Sequence, residues 1–176
     1  KLLKLPFLSP IGSGATAFYR YYIVDTVLVE RDSCYHLQFT PNNPQDIGFN
    51  GDIYILKDST LHVKKCHLSI PPKSDVNFVS TLHIDQIYSQ LPNGEWALST
   101  DDMWAEMTLL GKSILVVRNT RISDYSFEPL HKNLFKGQAK VKRMADSRSQ
   151  DDEFWDQYRA VELTKKEDGL GDFMTA

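Results

Sequence analysis

The sequence predicts a mainly β domain of the α+β class: a strongly curved antiparallel meander sheet of about eight strands with a short C-terminal helix. Apolar and polar side chains alternate at period two through most of residues 17–127, and short turn-forming segments separate these runs. Helical periodicity is confined to the region near residue 155. Because short turns rather than helices connect the strands, neighbouring strands should run antiparallel.

Composition and charge narrow the class of protein. The 176 residues are 41% hydrophobic and 24% charged, with a formal net charge of -3, which is typical of a soluble globular domain. This acidic balance predicts no nucleic-acid partner. No apolar run approaches the roughly 18 residues of a membrane-spanning helix, so no transmembrane segment is predicted. The sequence has no phosphate-binding glycine loop, dinucleotide fingerprint or zinc-protease motif, and it predicts neither a cofactor nor a metal site.

The predicted β domain covers residues 17–160. Residues 1–16 hold two prolines and two glycines and predict an N-terminal arm or linker, while residues 161–176 predict a solvated tail. The chain opens at Lys1 without a leader, so we expect a segment of a longer protein. The first strands are predicted at residues 17–29, 33–41, 51–57 and 60–70. A change of apolar phase in the last of these predicts a β-bulge near Lys64-Lys65.

The centre of the predicted sheet is a long hairpin over residues 76–100. A two-residue turn at Asn93-Gly94 would place Trp96 and Leu98 on the face opposite Tyr88. A three-residue loop, with Gly94 in the left-handed conformation, pairs Tyr88 with Leu98 instead. The second register keeps the apolar face continuous, and we therefore predict it.

The remaining elements follow from turn residues and a helix-start pattern. Asp101-Asp102 predicts a turn, followed by strands at residues 103–109 and 113–127. Residues 150–159 predict a short helix that begins after Ser149, with acidic residues at the positive end of its dipole. Its aromatic side is expected to pack on the sheet. Cys34 and Cys66 fall on different faces by parity, which argues against a disulfide between them.

One face of the central hairpin carries the candidate ligand-binding residues, which are apolar and share a face: Phe78, Leu82, Ile84, Tyr88, Trp96 and Leu98. They line a hydrophobic groove if the sheet curls and nothing fills its inner side. They are ordinary core if another element covers them, and a one-sided sheet must bury its apolar face. Trp104 differs in phase from its neighbours and is the candidate for an exposed contact residue.

The opposite face carries a second candidate. His83 and Asp85 lie on one strand face and suit an acid-base pair, as in a hydrolase. Because no nucleophile is placed near them, a solvated polar strand face is the favoured interpretation. We therefore predict no catalytic residues and a chain that is not an enzyme.

Several phrases resemble a large uncharacterised outer-membrane family that carries an N-terminal carboxypeptidase-like regulatory domain and a C-terminal predicted β-barrel. The phrases are SPIG at Ser9, FYRYYIVDT at Phe18, GFNGDIYILKDS at Gly48, QLPNGEW at Gln90, SDYSF at Ser123 and DEFWDQYRAVELTKKE at Asp152. The resemblance implies that this chain lies between those two domains on the periplasmic side of the outer membrane. The other domains of the parent protein are then expected partners. It supplies no catalytic residues.

A second resemblance concerns shape. Successive long antiparallel strands, with a phrase such as GDIYILKDSTLHVKK, are similar to the LolA and LolB lipoprotein carriers, whose curved half-barrel sheet surrounds an apolar cavity. This likeness implies a lipid or lipoprotein ligand. Together the residues and resemblances predict a non-enzymatic periplasmic module that binds a lipid-like ligand or a protein partner through an apolar concave face. The alternatives are a structural spacer without a ligand and a hydrolase using His83.

Overall fold

The computed structural model of the chain describes residues 7–70, 79–109, 111–129 and 151–159. Their strands form one open, curved antiparallel sheet in which spatial order equals chain order, as the meander prediction requires. The seven strands are β1 (Tyr19–Val29), β2 (Asp32–Pro41), β3 (Asn50–Leu56), β4 (Val63–Ser69), β5 (Val79–Gln90), β6 (Trp96–Leu109) and β7 (Lys112–Arg121). Two short helices are α1 (Ala15–Phe18) and α2 (Asp152–Tyr158). The chain divides into two compact units, residues 1–125 and 126–176.

The hairpin between β5 and β6 confirms the three-residue loop. Tyr88 pairs with Leu98, and Gln90 pairs with Trp96. The Gly94 amide donates a 2.8 Å hydrogen bond to the Leu91 carbonyl, and Gly94 adopts a φ of 89°. Glycine reaches this left-handed conformation at little steric cost, so the turn fixes the register that keeps the apolar face continuous.

The predicted β-bulge in β4 is also confirmed. Tyr54 of β3 pairs with Lys65, whereas the next residue of β3 pairs with Val63, so Lys64 is the extra residue. Its side chain is buried, and its ammonium lies 2.9 Å from both a Glu30 and an Asp32 carboxylate oxygen. The two carboxylates compensate for the burial of this charge.

The predicted turn at Asp101-Asp102 is wrong, because both residues lie within the continuous strand β6. Their carboxylates form ion pairs with Arg118 and Arg121 of β7. The change in apolar phase comes instead from a bulge at Ser99, which places an extra residue in β6 opposite the Ile87 to Tyr88 step. The described residues therefore hold seven strands rather than about eight.

The core lies on one face of the sheet. Its buried members include Tyr19, Phe39, Ile53, Cys66, Leu68, Ile70, Leu82 and Ala105. The predicted arm contributes to it, since Phe7 and Leu8 pack against this cluster. The Tyr19 hydroxyl donates a 2.7 Å hydrogen bond to the Leu8 carbonyl, which anchors the segment to β1. The domain boundary near residue 16 stays a prediction.

The second unit contains α2, within the predicted residues 150–159. The Asp151 carboxylate caps it by accepting a 2.9 Å hydrogen bond from the Phe154 amide. Ser149, the predicted start signal, lies outside the described residues, and packing of this helix on the sheet stays a prediction. In the described ranges, no helix has the length and apolar character needed to cross a membrane.

Candidate functional site

The structure separates the predicted ligand-binding residues into two environments on one face of the sheet. Leu82 is 1% exposed and belongs to the same buried cluster as Ile70 and Ala105, while Ile84 is partly buried against that cluster. At the hairpin end, the side chains are all partly exposed: Tyr88, Trp96 and Leu98. Phe78 lies outside the described residues. The face is thus ordinary core around Leu82, and accessible apolar surface remains near the hairpin.

At the hairpin end, partial burial changes the acidity of Tyr88. It raises the pKa of the Tyr88 phenol to about 12, since the low-polarity surroundings disfavour the phenolate. Trp96 stacks on the His62 ring at 5.8 Å, and the Lys64 ammonium lies 5.4 Å from the centre of the Trp96 ring. This end of the face therefore combines half-buried apolar side chains with a cation over an aromatic ring.

The opposite face carries a row of polar side chains across four neighbouring strands. Gln38 of β2 pairs with Asp52 of β3, Asp52 pairs with His67 of β4, and His67 pairs with Asp85 of β5. Because residues opposite one another in a ladder point to the same side, the four side chains form one band across the sheet.

His67 and Asp85 form a hydrogen-bonded pair within this band, with 2.7 Å between Nδ1 and Oδ1. Asp85 is thus held by His67 and not by His83, the acid-base partner considered as the less favoured alternative, because cross-strand neighbours approach more closely than residues two apart on one strand. In the described part of the chain, the buried Nδ1 of His83 has no hydrogen-bond partner. The His83 ring stacks on Trp104 at 5.0 Å. Trp104 is 36% exposed, which confirms its predicted exposure, while its role as a contact residue stays a prediction.

A second histidine lies between two carboxylates. His36 Nδ1 is 3.0 Å from Asp25, and His36 Nε2 is 2.7 Å from Asp52. Burial opposes a charge on this imidazole, but hydrogen bonds and charges from Asp52 and Asp25 outweigh burial and raise the pKa of His36 above 6.5. An imidazolium donates from both nitrogens, so the charged form satisfies both carboxylates.

This arrangement predicts a pH-dependent contribution to stability. With the folded pKa raised, the stabilisation by His36 is fully present below the ordinary value of 6.5 and is lost as pH rises through the folded pKa. We expect His36→Gln to lower the free energy of unfolding more at pH 5.5 than at pH 8.5, values on either side of the roughly 6.5 of free histidine. Urea denaturation of both proteins at the two pH values measures this difference. Equal effects of the substitution at both would contradict it.

A cavity of about 410 Å³ lies over part of the polar band. Its lining comes from β1 to β4 and consists of Tyr22, Gln38, Phe39, Thr40, Asn50, Gly51, Asp52, His67 and Ser69. The alternation of polar residues along β2 and β4 was a usable signal for this face. The alternation does not show which side chains meet, because the hydrogen-bond partners of His67 and His36 depend on the register between strands.

The described residues offer little for metal or nucleophilic chemistry. Across the described ranges, no group of three or more His, Cys, Asp or Glu side chains is placed to hold a metal ion. Cys34 and Cys66 are buried free thiols, and burial raises the pKa of Cys66 to about 12. Such a thiol stays protonated near neutral pH and is a poor nucleophile.

Comparison with known proteins assigns the chain to a family. Neither the curated proteins nor the solved structures contain a match. The profile described as "Family of unknown function (DUF5686)" matches residues 1–125, which is more than half of the 176-residue chain. The chain therefore belongs to the DUF5686 family of unknown function.

Proposed function

We propose that this chain is a non-enzymatic binding module on the periplasmic side of the outer membrane, as part of a longer outer-membrane protein. The phrases that resemble the carboxypeptidase-like regulatory family support this location. The side-chain chemistry supports a binding role, since in the described part of the chain no hydroxyl or thiol is hydrogen-bonded to His36 or His67. A nucleophile activated by either imidazole would require such a contact.

The partner is an extended strand of another domain of the same outer-membrane protein, added at the outer edge of β7. This strand is the last in the sheet and pairs with β6 on one side. Within the described ranges no strand pairs with its other side. Four consecutive aliphatic side chains, Ile114 to Val117, are 37% to 67% exposed. An edge strand with aliphatic side chains on both faces is a template for strand addition.

The other edge of the sheet is protected in a way that β7 is not. Strand β1 contains a register shift between Ile23 and Asp25, where Val24 is the extra residue, and Asp25 places a charge beside it. Bulges and charges at an edge oppose pairing with another strand. Strand β7 also carries charges, but Arg118 and Arg121 are paired with Asp101 and Asp102 of β6. The pairing of β7 with β6 shows no register shift, so the absence of a bulge beside the aliphatic run is what distinguishes the β7 edge.

A lipid-like ligand is the second candidate, and the half-buried hairpin end favours it. An acyl chain would contact Tyr88, Trp96 and Leu98, whose partly exposed side chains lie on one face. The core around Leu82 is closed, so an acyl chain would lie at the hairpin end rather than along the whole face.

Photo-crosslinking in the full-length protein tests the two candidates together. A photoreactive amino acid is placed at Leu115, at Leu98 or at Gln45, an exposed loop position that serves as the matched control. We expect Leu115 to crosslink to a segment of another domain of the same protein, identified by mass spectrometry. Crosslinks to lipid from Leu98 alone would instead support the acyl ligand. Yields at Leu115 and Leu98 no higher than at Gln45 would contradict both.

A further inference from the structure

We infer that the cavity on the polar face is a binding site for a neutral carbohydrate. It is bounded by β1 to β4 and holds about 410 Å³, within the roughly 300–1,000 Å³ of small-molecule sites. It lies on different strands from the β7 edge, so this inference is independent of the proposed function.

The lining favours a ligand with many hydroxyl groups. Neutral polar side chains supply most of the hydrogen-bonding groups: Tyr22, Gln38, Thr40, Asn50 and Ser69. Hydroxyls and amides both donate and accept, as sugar hydroxyls do. Among the described lining residues there is no Lys or Arg, which disfavours a phosphate or carboxylate ligand.

Two charged or titratable side chains in the lining are already held in place. The Asp52 Oδ1 atom accepts from His36 at 2.7 Å, which leaves Oδ2 to accept from a ligand hydroxyl. His67 directs Nδ1 to Asp85 at 2.7 Å, so its Nε2 is the nitrogen available to a ligand. Side chains fixed by neighbouring hydrogen bonds lose less entropy when a ligand binds.

An aromatic ring and a third hydrogen-bonded pair complete the site. Tyr22 is 51% exposed at the edge of the cavity, and the electron-rich face of its ring suits the polarised C–H groups of a pyranose. On the opposite side of the lining, Ser69 Oγ is 3.0 Å from Asn50 Oδ1. A polar cradle beside one exposed aromatic ring matches a sugar ring better than it matches an apolar ligand.

The test is titration of the purified chain with neutral pentasaccharides built from glucose, mannose, galactose or N-acetylglucosamine, followed by saturation-transfer NMR and calorimetry. We expect at least one to bind with a Kd on the order of 1 mM or tighter. Tyr22→Ala and Gln38→Ala should each raise that Kd by roughly tenfold or more. Both positions are exposed, so the fold should persist, and circular dichroism checks this.

Matched substitutions elsewhere control for general effects. Tyr158→Ala in α2 and Gln45→Ala in a loop remove the same two types of exposed side chain from residues that are not part of the cavity lining, and both variants should bind like the wild type. Saturation by none of the pentasaccharides up to about 10 mM would overturn the inference. So would equal affinity in all four variants, or selective binding of inorganic phosphate in place of the neutral sugars.

Discussion

Replacing Gly51 with alanine is expected to lower the free energy of unfolding by roughly 3 kcal/mol. An added Cβ would lie 1.9 Å from the His67 carbonyl oxygen, far inside van der Waals contact. That oxygen belongs to the backbone of the paired strand β4, so no side-chain rotation relieves the clash. The backbone at Gly51, with a φ of 154°, is also one that L residues rarely adopt.

Gly94→Ala is the matched control for this substitution. Gly94 has a φ of 89°, and a Cβ added there would have no neighbouring atom within 4 Å. Alanine at this position therefore meets backbone strain without a clash and should cost only about 1 kcal/mol. Urea denaturation followed by circular dichroism measures both. A cost for Gly51→Ala no larger than that for Gly94→Ala would show that β3 and β4 separate easily, contrary to the close approach in the structure.

The same glycine connects stability to the polar cavity. Gly51 lines that cavity and is flanked by Asp52, while the carbonyl it approaches belongs to His67. Any separation of the two strands at this point therefore moves two lining side chains. The close approach of β3 to β4 is what sets the spacing of the hydrogen-bonding groups that face a ligand.

Features set by local sequence could be predicted. The register of the β5 to β6 hairpin follows from a Pro-Asn-Gly turn and the period-two pattern on either side, both within a few residues. The bulge at Lys64 follows from a phase change inside one strand. In both cases the residues that determine the geometry are neighbours in sequence, and the structure confirms them.

Features set by contacts between residues far apart in the sequence could not be predicted. Asp101 and Asp102 resemble a turn by residue type, but Arg118 and Arg121 of the next strand make a continuous β6 favourable by pairing with both carboxylates. The pairing of His67 with Asp85 similarly depends on the register between β4 and β5. Outside a short, well-defined hairpin turn, the sequence predicts which face a residue occupies but not which residue lies opposite it.

Whether an apolar face is covered is a further property that periodicity does not determine. Leu82 was correctly placed on the apolar face, yet groove and core have the same alternation along the strand. Segments outside the strand decide between them, and Phe7 and Leu8 of the N-terminal segment pack against the core cluster that contains Leu82.

Leu82→Ala is accordingly expected to lower the free energy of unfolding by about 3 kcal/mol, because it removes buried methyl groups and leaves a cavity in a closed core. Leu28→Ala is the matched control: Leu28 is 75% exposed on β1, and its loss should change stability by less than about 0.5 kcal/mol. Urea denaturation of the two variants gives the comparison. If Leu82→Ala were as mild as Leu28→Ala, Leu82 would line an open groove, and an acyl ligand could then extend along the apolar face beyond the hairpin end.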